Sequence, residues 1–176
     1  MHQSSDPASA IPPDASPHPS ARPNTTARRG VLGATALLAA YVGVWATVAP
    51  RGFYESFPGF GFTWISIDGP FNEHLIRDVG AMYVALGTLT VAAFFARMAA
   101  AGRLVGLGWT VFGCLHFGYH ALHPEGGTTD RIATLLSLGI SLALGILLMI
   151  PPRRESERPP TAESGFPARG ATGPVR

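Results

Sequence analysis

The sequence predicts an all-α integral membrane protein, a four-helix bundle with antiparallel up-down topology. Hydrophobic residues make up 47% of the 176 positions and charged residues only 14%, against about 25% charge in an ordinary soluble domain. The apolar residues gather into blocks at residues 31–50, 79–98, 104–122 and 132–150. Each block holds about the 20 residues that a helix needs to cross a hydrocarbon core of about 30 Å. A helix satisfies its own backbone hydrogen bonds there, which an open strand or loop cannot do. The short links after the second and third blocks force neighbouring helices to run antiparallel.

Taken in order, residues 1–29 are rich in Pro, Ser and Ala and lack periodic apolar residues. Such a segment buries too little surface to offset its chain entropy, so a disordered tail is expected. The same reading applies to residues 152–176, leaving the bundle at 30–151. Arg28-Arg29 before the first block resembles a twin-arginine export signal. The block is long for a cleaved signal, contains Tyr41 and Trp45, and ends in Ala49-Pro50, a poor cleavage context. It is therefore expected to stay as the first span. The Asn24-Thr25-Thr26 sequon is given no role.

The connection at 51–78 is long and aromatic, with Phe53, Tyr54, Phe57, Phe60, Phe62, Trp64 and Phe71. Aromatic rings favour the headgroup layer, so the segment is expected as an interfacial helix or a folded cap over the bundle that acts as an interface anchor, with a substrate-gating lid as the alternative. Gly69-Pro70 then breaks the chain and Asn72 offers an N-cap, so the second helix should start ahead of its apolar block. A spacing of four pairs Glu73 with Arg77 and His74 with Asp78.

The third block ends in His116, His120 and His123, which share one helical stripe that Trp109 and Phe112 extend. His116 and His120, or His120 and His123, have the spacing to chelate one ion. Further ligands would have to come from His74 and Asp78, because the second helix begins at the end of the bundle where the third one finishes. In the fourth block Ala133, Ser137, Ser141 and Gly145 recur every four residues, a stripe that lets helices approach closely in lipid. Thr128, Thr129 and Asp130 offer caps at its start.

All 13 basic residues are arginine and the net charge is only +2, too little for a nucleic-acid footprint. Arg22, Arg28 and Arg29, then Arg97 and Arg103, then Arg153, Arg154 and Arg158 mark one side of the membrane, against Arg51, Arg77 and Arg131 on the other. The excess of arginine marks the cytoplasmic side, which places both tails there and the 51–78 connection outside. Ala, Gly, Arg and Pro richness without lysine suggests a bacterial source, hence the inner membrane. The single cysteine, Cys114, reads as a packing residue and allows no intrachain disulfide. Phosphate-binding loops, Cys-x-x-Cys and the common hydrolase motifs are absent from the sequence.

The run Arg77-Asp78-Val79-Gly80-Ala81-Met82-Tyr83-Val84-Ala85-Leu86-Gly87 places an arginine ahead of glycines and small residues that open an apolar helix. With four spans, it resembles the DoxX-like group of small bacterial membrane proteins, many without a known function, over roughly residues 31–150. That resemblance implies a compact four-span fold and, for some members, association with redox or quinone-linked complexes.

Three functional readings follow. The first is a non-enzymatic membrane protein with a polar cavity in the outer half of the bundle, formed by Glu73, His74, Arg77, Asp78, His116, His120 and His123, serving as an accessory subunit. The second is a membrane-bound redox component holding a metal or haem through His116, His120, His74 and Asp78. The third is a ligand-free assembly partner of another membrane protein or of its own copies. The lipid bilayer is the partner common to all three.

Overall fold

The computed structural model describes residues 23–152. The expected tails lie largely outside this range. Six helices and a two-stranded hairpin make up the described residues. Helix α1 runs Thr26–Val48, α4 Glu73–Phe95, α5 Ala99–Leu122 and α6 Thr128–Met149. Between α1 and α4 lie α2 (Pro50–Ser56), β1 (Pro58–Gly59), β2 (Phe62–Thr63) and α3 (Trp64–Ile67).

Helices α1, α4 and α6 are long and apolar enough to cross a membrane. At 24 residues α5 has the length. It falls short in apolarity because glycines, Trp109, Tyr119 and two histidines interrupt its aliphatic residues.

The helix ends differ from expectation in instructive ways. Helix α1 starts at Thr26, inside the segment expected to be a disordered tail, because the Thr25 hydroxyl accepts from the Arg28 N–H and caps it. Helix α4 starts after Asn72, as expected, with Asn72 Oδ1 accepting from the Leu75 N–H at 3.1 Å. In α6 the N-cap is Gly127, and neither Thr128 nor Thr129 takes that position. The Asp130 carboxylate instead reaches back to accept from the Gly127 N–H at 3.1 Å.

The long helices form two closely packed antiparallel pairs, α1 with α4 and α5 with α6. Glycine makes each pairing possible. A Cβ on Gly80 would lie 2.8 Å from the Thr47 backbone nitrogen, one on Gly43 2.9 Å from that of Val84, and one on Gly87 3.0 Å from the Ala39 side chain. In the second pair a Cβ on Gly106 would meet Leu148 at 2.6 Å, and one on Gly145 would meet the Thr110 nitrogen at 2.8 Å. The expected small-residue face of α6 is thus real at Ser141 and Gly145, both buried, and α5 answers it with glycines of its own.

Between the pairs, Trp109 is fully buried and donates its indole N–H to Thr90 Oγ1 at 2.9 Å, joining α5 to α4. Tyr83 meets Trp109 and Phe112 edge-on, with ring centroids 5.7 and 5.4 Å apart.

One end of the molecule is tied by the residues just before and within the first turn of α1. Asn24 donates its side-chain amide to Ala96 O at 2.9 Å and to Ala93 O at 3.2 Å, at the close of α4. Buried Arg28 donates to Leu148 O at 2.8 Å and Ile150 O at 2.6 Å, the orphan carbonyls at the close of α6. The guanidinium also suits the negative end of the α6 dipole. We call this the tail end, and the opposite one, covered by the 49–72 connection, the cap end.

Two predictions follow from this packing. Arg28→Ala should lower stability by about 2–3 kcal/mol, the scale of a lost charged hydrogen bond, whereas Arg29→Ala, at an exposed position, should change it by less than about 0.5 kcal/mol. Thermal unfolding of the detergent-purified protein measures both. Gly145→Ala should cost about 1–3 kcal/mol through overpacking against the α5 backbone. In the same assay Gly30→Ala, where an added Cβ meets nothing within 4 Å, should be neutral or mildly stabilising.

Candidate functional site

At the cap end the two helix pairs diverge and enclose a cavity of about 460 Å³. Its wall is built from Leu38, Tyr41 and Val42 of α1, Ile76, Val79 and Tyr83 of α4, Phe112, His116 and His120 of α5, and Leu135, Leu138 and Ser141 of α6. Phe53, Phe57, Pro58, Trp64 and Ile65 close it from above. The 49–72 connection therefore folds over this end of the helices.

Its aromatic residues pack mainly on one another. Phe53 lies 4.5 Å from Phe57 between centroids and 5.9 Å from Trp45, while Phe57 meets Trp64 edge-on at 6.2 Å. Tyr54 meets Phe71 at 5.3 Å, and the Arg51 guanidinium sits 4.3 Å from the centre of the Phe71 ring. Two hydrogen bonds pin this layer: Tyr41 donates to Pro58 O and Tyr54 to Gly69 O, at 2.8 and 2.7 Å. Phe60, at the hairpin tip, stands 96% exposed, so it is the one ring of the group that the cap leaves bare.

The histidine stripe on α5 divides. His116 stacks on Phe112 at 5.2 Å, and His120 meets His116 edge-on at 5.0 Å. Both face the cavity. His123 does not belong to the wall. It stacks on Tyr119 at 4.5 Å, and its ring Nδ1 lies 3.0 Å from the Tyr119 carbonyl at the end of the helix.

The acidic and basic residues at the start of α4 form the expected pairs. Arg77 Nε lies 2.9 Å from Glu73 Oε1, and His74 Nε2 lies 3.3 Å from Asp78 Oδ2. Arg77 also donates to the Thr47 carbonyl at the close of α1. All four side chains are exposed, His74 to 88%, and none lines the cavity. The reason is angular. At about 100° per residue, His74, Arg77 and Asp78 lie more than about 120° around α4 from the mean direction of Ile76, Val79 and Tyr83, and Glu73 lies on the flank about 90° away. The start of α4 and the end of α5 border the same cavity, but α4 offers it an apolar face.

The expected metal set of His116, His120, His74 and Asp78 is accordingly not assembled. Among the described residues no three His, Cys, Asp or Glu side chains come together as they would around an ion. His116 and His120 alone supply at most two ligands, short of the four of a structural zinc site.

The sequence reading missed the acidic residues at the cavity mouth. Asp68, just after α3, and Glu125, in the α5–α6 connection, both border it, with Asp130 and Arg131 of α6 beside them. Asp130 is engaged with the Gly127 N–H and Arg131 donates to Gly126 O at 3.0 Å, so both are occupied in starting α6. Asp68 interacts with Glu125, and Glu125 in turn with His120. Partial burial, then the hydrogen bond and charge of Glu125, push the Asp68 carboxyl up to about 7. Nothing in the sequence marks this pair, because it joins two loops about 57 residues apart whose meeting depends on the packed helices.

Cys114 is exposed on the outer side of α5, away from the wall described above. No protein-family profile matches this chain, and no curated protein or solved structure matches it.

Proposed function

We propose that the protein is a four-span protein of a bacterial inner membrane that binds an apolar molecule carrying a small polar head. The binding site is the cavity at the cap end, and the role is that of a binding or accessory subunit. The observation that supports this most is the cavity itself. Its volume of about 460 Å³ falls in the range of sites that enclose small ligands, which typically combine apolar walls with a few convergent polar groups. Here rings and aliphatic side chains make most of the wall, and His116, His120 and Ser141 are among its polar groups, with charged residues bordering it.

The fourth span in this reading is α5. Gly106 and Gly113 lie against α6, Gly102 and Gly108 face α1 and α4, Trp109 is buried and the two histidines face the cavity, so apart from Gly118 and the exposed Tyr119 the residues that lower its apolarity turn away from lipid. Leu104, Leu107, Val111 and Leu115, all exposed, would form that lipid face. An even number of spans with the tail end in the cytoplasm accommodates the arginine asymmetry. A place in the DoxX-like group would carry the same architecture.

Mass spectrometry of protein purified in detergent and exchanged extensively tests the binding role. An apolar compound should remain in near-stoichiometric amount. Ser137→Trp, at the cavity wall, should remove it while circular dichroism shows the same helicity. Absence of any retained compound in the wild type would sink the reading.

Topology has its own test, in a Cys114→Ser background. A membrane-impermeant maleimide should label Phe60→Cys in cells with a permeabilised outer membrane, and label Ala27→Cys only after lysis. The reverse pattern would overturn the orientation.

A further inference from the structure

Several polar groups around the cavity are committed to the protein. The Tyr41 hydroxyl donates to Pro58 O and the Ser137 hydroxyl to Thr134 O, while Asp130 and Arg131 are engaged at the start of α6. Deeper in, the position is different. The Tyr83 hydroxyl of α4, the Ser141 hydroxyl of α6 and the His116 ring of α5 all line the cavity, and none has a hydrogen-bond partner among the described residues. Tyr83 is only 7% exposed and Ser141 only 8%. Polar atoms on side chains so enclosed ordinarily find a partner. Neither hydroxyl is sealed among protein atoms, so each is left open to the cavity.

Three helices bring these groups to one depth. Tyr83 and His116 pack on the same ring, Phe112, with centroids 5.4 and 5.2 Å from it. Ser141 precedes Leu142, whose Cα would lie 3.1 Å from a Cβ on Gly113, so Ser141 stands beside the same turn of α5. Beyond that turn the fully buried Trp109 fills the space between the helix pairs. Tyr83, Ser141 and His116 are therefore the floor, and His120, 5.0 Å from His116, is the next polar group towards the cap. Charge stays at the other end. Arg131 lies ten residues before Ser141 on α6, about 15 Å away at 1.5 Å per residue, and Asp68 and Glu125 belong to the connections at the cap end.

We infer that this floor is a head-group site for an uncharged hydroxyl: the cavity takes an alcohol head-inward, with its apolar body against the cap rings Phe53 and Phe57. This rests on the proposal that the cavity is a binding site, and it specifies what that site takes.

The chemistry matches in number and in kind. A hydroxyl has one donor and two acceptor lone pairs. It can donate to one of the three floor groups and accept from the other two, because each hydroxyl and the neutral imidazole can play either part. A carboxylate or ammonium in the same place would be buried with no fixed opposite charge, which costs far more than burying a satisfied hydroxyl. An aliphatic end placed there would leave two enclosed hydroxyls unpaired. The cap offers rings instead, and its Trp64 indole N–H, though unpartnered, is enclosed by protein atoms.

Scintillation-proximity binding of tritiated 1-decanol to the full chain in detergent tests the site, with the cavity-filling Ser137→Trp variant defining non-specific uptake. Unlabelled 1-decanol should compete at least about tenfold better than decanoate or decylammonium at neutral pH. Tyr83→Phe, which keeps the ring, and Ser141→Ala should each weaken 1-decanol roughly three- to tenfold, the scale of one hydrogen bond. Equal competition by the three heads, or unchanged affinity in both variants, would overturn the head-group site. The apolar compound retained through purification judges the cavity separately. A retained compound without 1-decanol uptake or without head preference removes the head-group site alone. No specific uptake and nothing retained removes the binding reading, and the head-group site with it.

Discussion

Close backbone contact within two helix pairs is the constraint from which the rest of this structure follows. In lipid, helices gain little from hydrophobic association with one another, since acyl chains are as apolar as leucine. Association then depends on van der Waals contact and on hydrogen bonds between helices. Gly43, Gly80 and Gly87 bring α1 and α4 together, and Gly106, Gly113 and Gly145 do the same for α5 and α6. Because each pair is drawn in so tightly, large side chains collect on the surfaces between the pairs. Trp109, Tyr83 and Phe112 fill that space in the middle of the molecule. Toward the cap end the filling gives out, and the remaining volume is the cavity.

The two ends solve the problem of helix termini differently, and that difference gives the cavity its direction. At the tail end Asn24 and Arg28 donate to the closing carbonyls of α4 and α6. One short segment thus satisfies backbone acceptors on two helices from opposite pairs and draws the pairs together. At the cap end no single residue spans the pairs in this way. The 49–72 connection covers the opening with aromatic rings that pack on each other, fastened by the Tyr41 and Tyr54 hydroxyls. A surface held by ring packing and two hydrogen bonds can shift more cheaply than one held by a buried guanidinium.

Much of the fold was legible in the sequence, and the failures have physical causes. Helix α4 could be placed from Gly69-Pro70 and Asn72 because caps act within a few residues. The Glu73–Arg77 and His74–Asp78 pairs were legible for the same reason, since neighbours at a spacing of four are fixed by helix geometry alone. The small residues of α6 announced close packing, but the glycines of α5 that meet them needed the partner helix to become meaningful. Arg28 looked like one half of a topology signal, whereas its carbonyl partners lie about 120 residues away. The spacing of four put His116 and His120 on one face of their helix, and both stand in the cavity wall. Glu73, His74, Arg77 and Asp78 stand outside that wall, because helical angles turn them to the flank and far side of α4 from Ile76, Val79 and Tyr83. Asp68 and Glu125 were invisible because a contact between two loops is set by everything that packs between them.

The polar content of α5 ties these threads together. Taken as an isolated segment, it is the least convincing of the four long helices as a span, because Gly, Trp and His displace aliphatic residues. Those same residues have assigned places in the packed structure. Gly106 and Gly113 meet α6, Trp109 bonds Thr90, and His116 and His120 stand in the cavity wall. A helix whose polar groups mostly turn inward can lie in a membrane with few of them exposed to lipid, at the cost of looking ambiguous in a linear window. The ambiguity of α5 and the existence of the cavity are therefore one fact: an inward-turned polar stripe lowers the apolar average, and it also supplies the chemistry that a fully aliphatic span would lack.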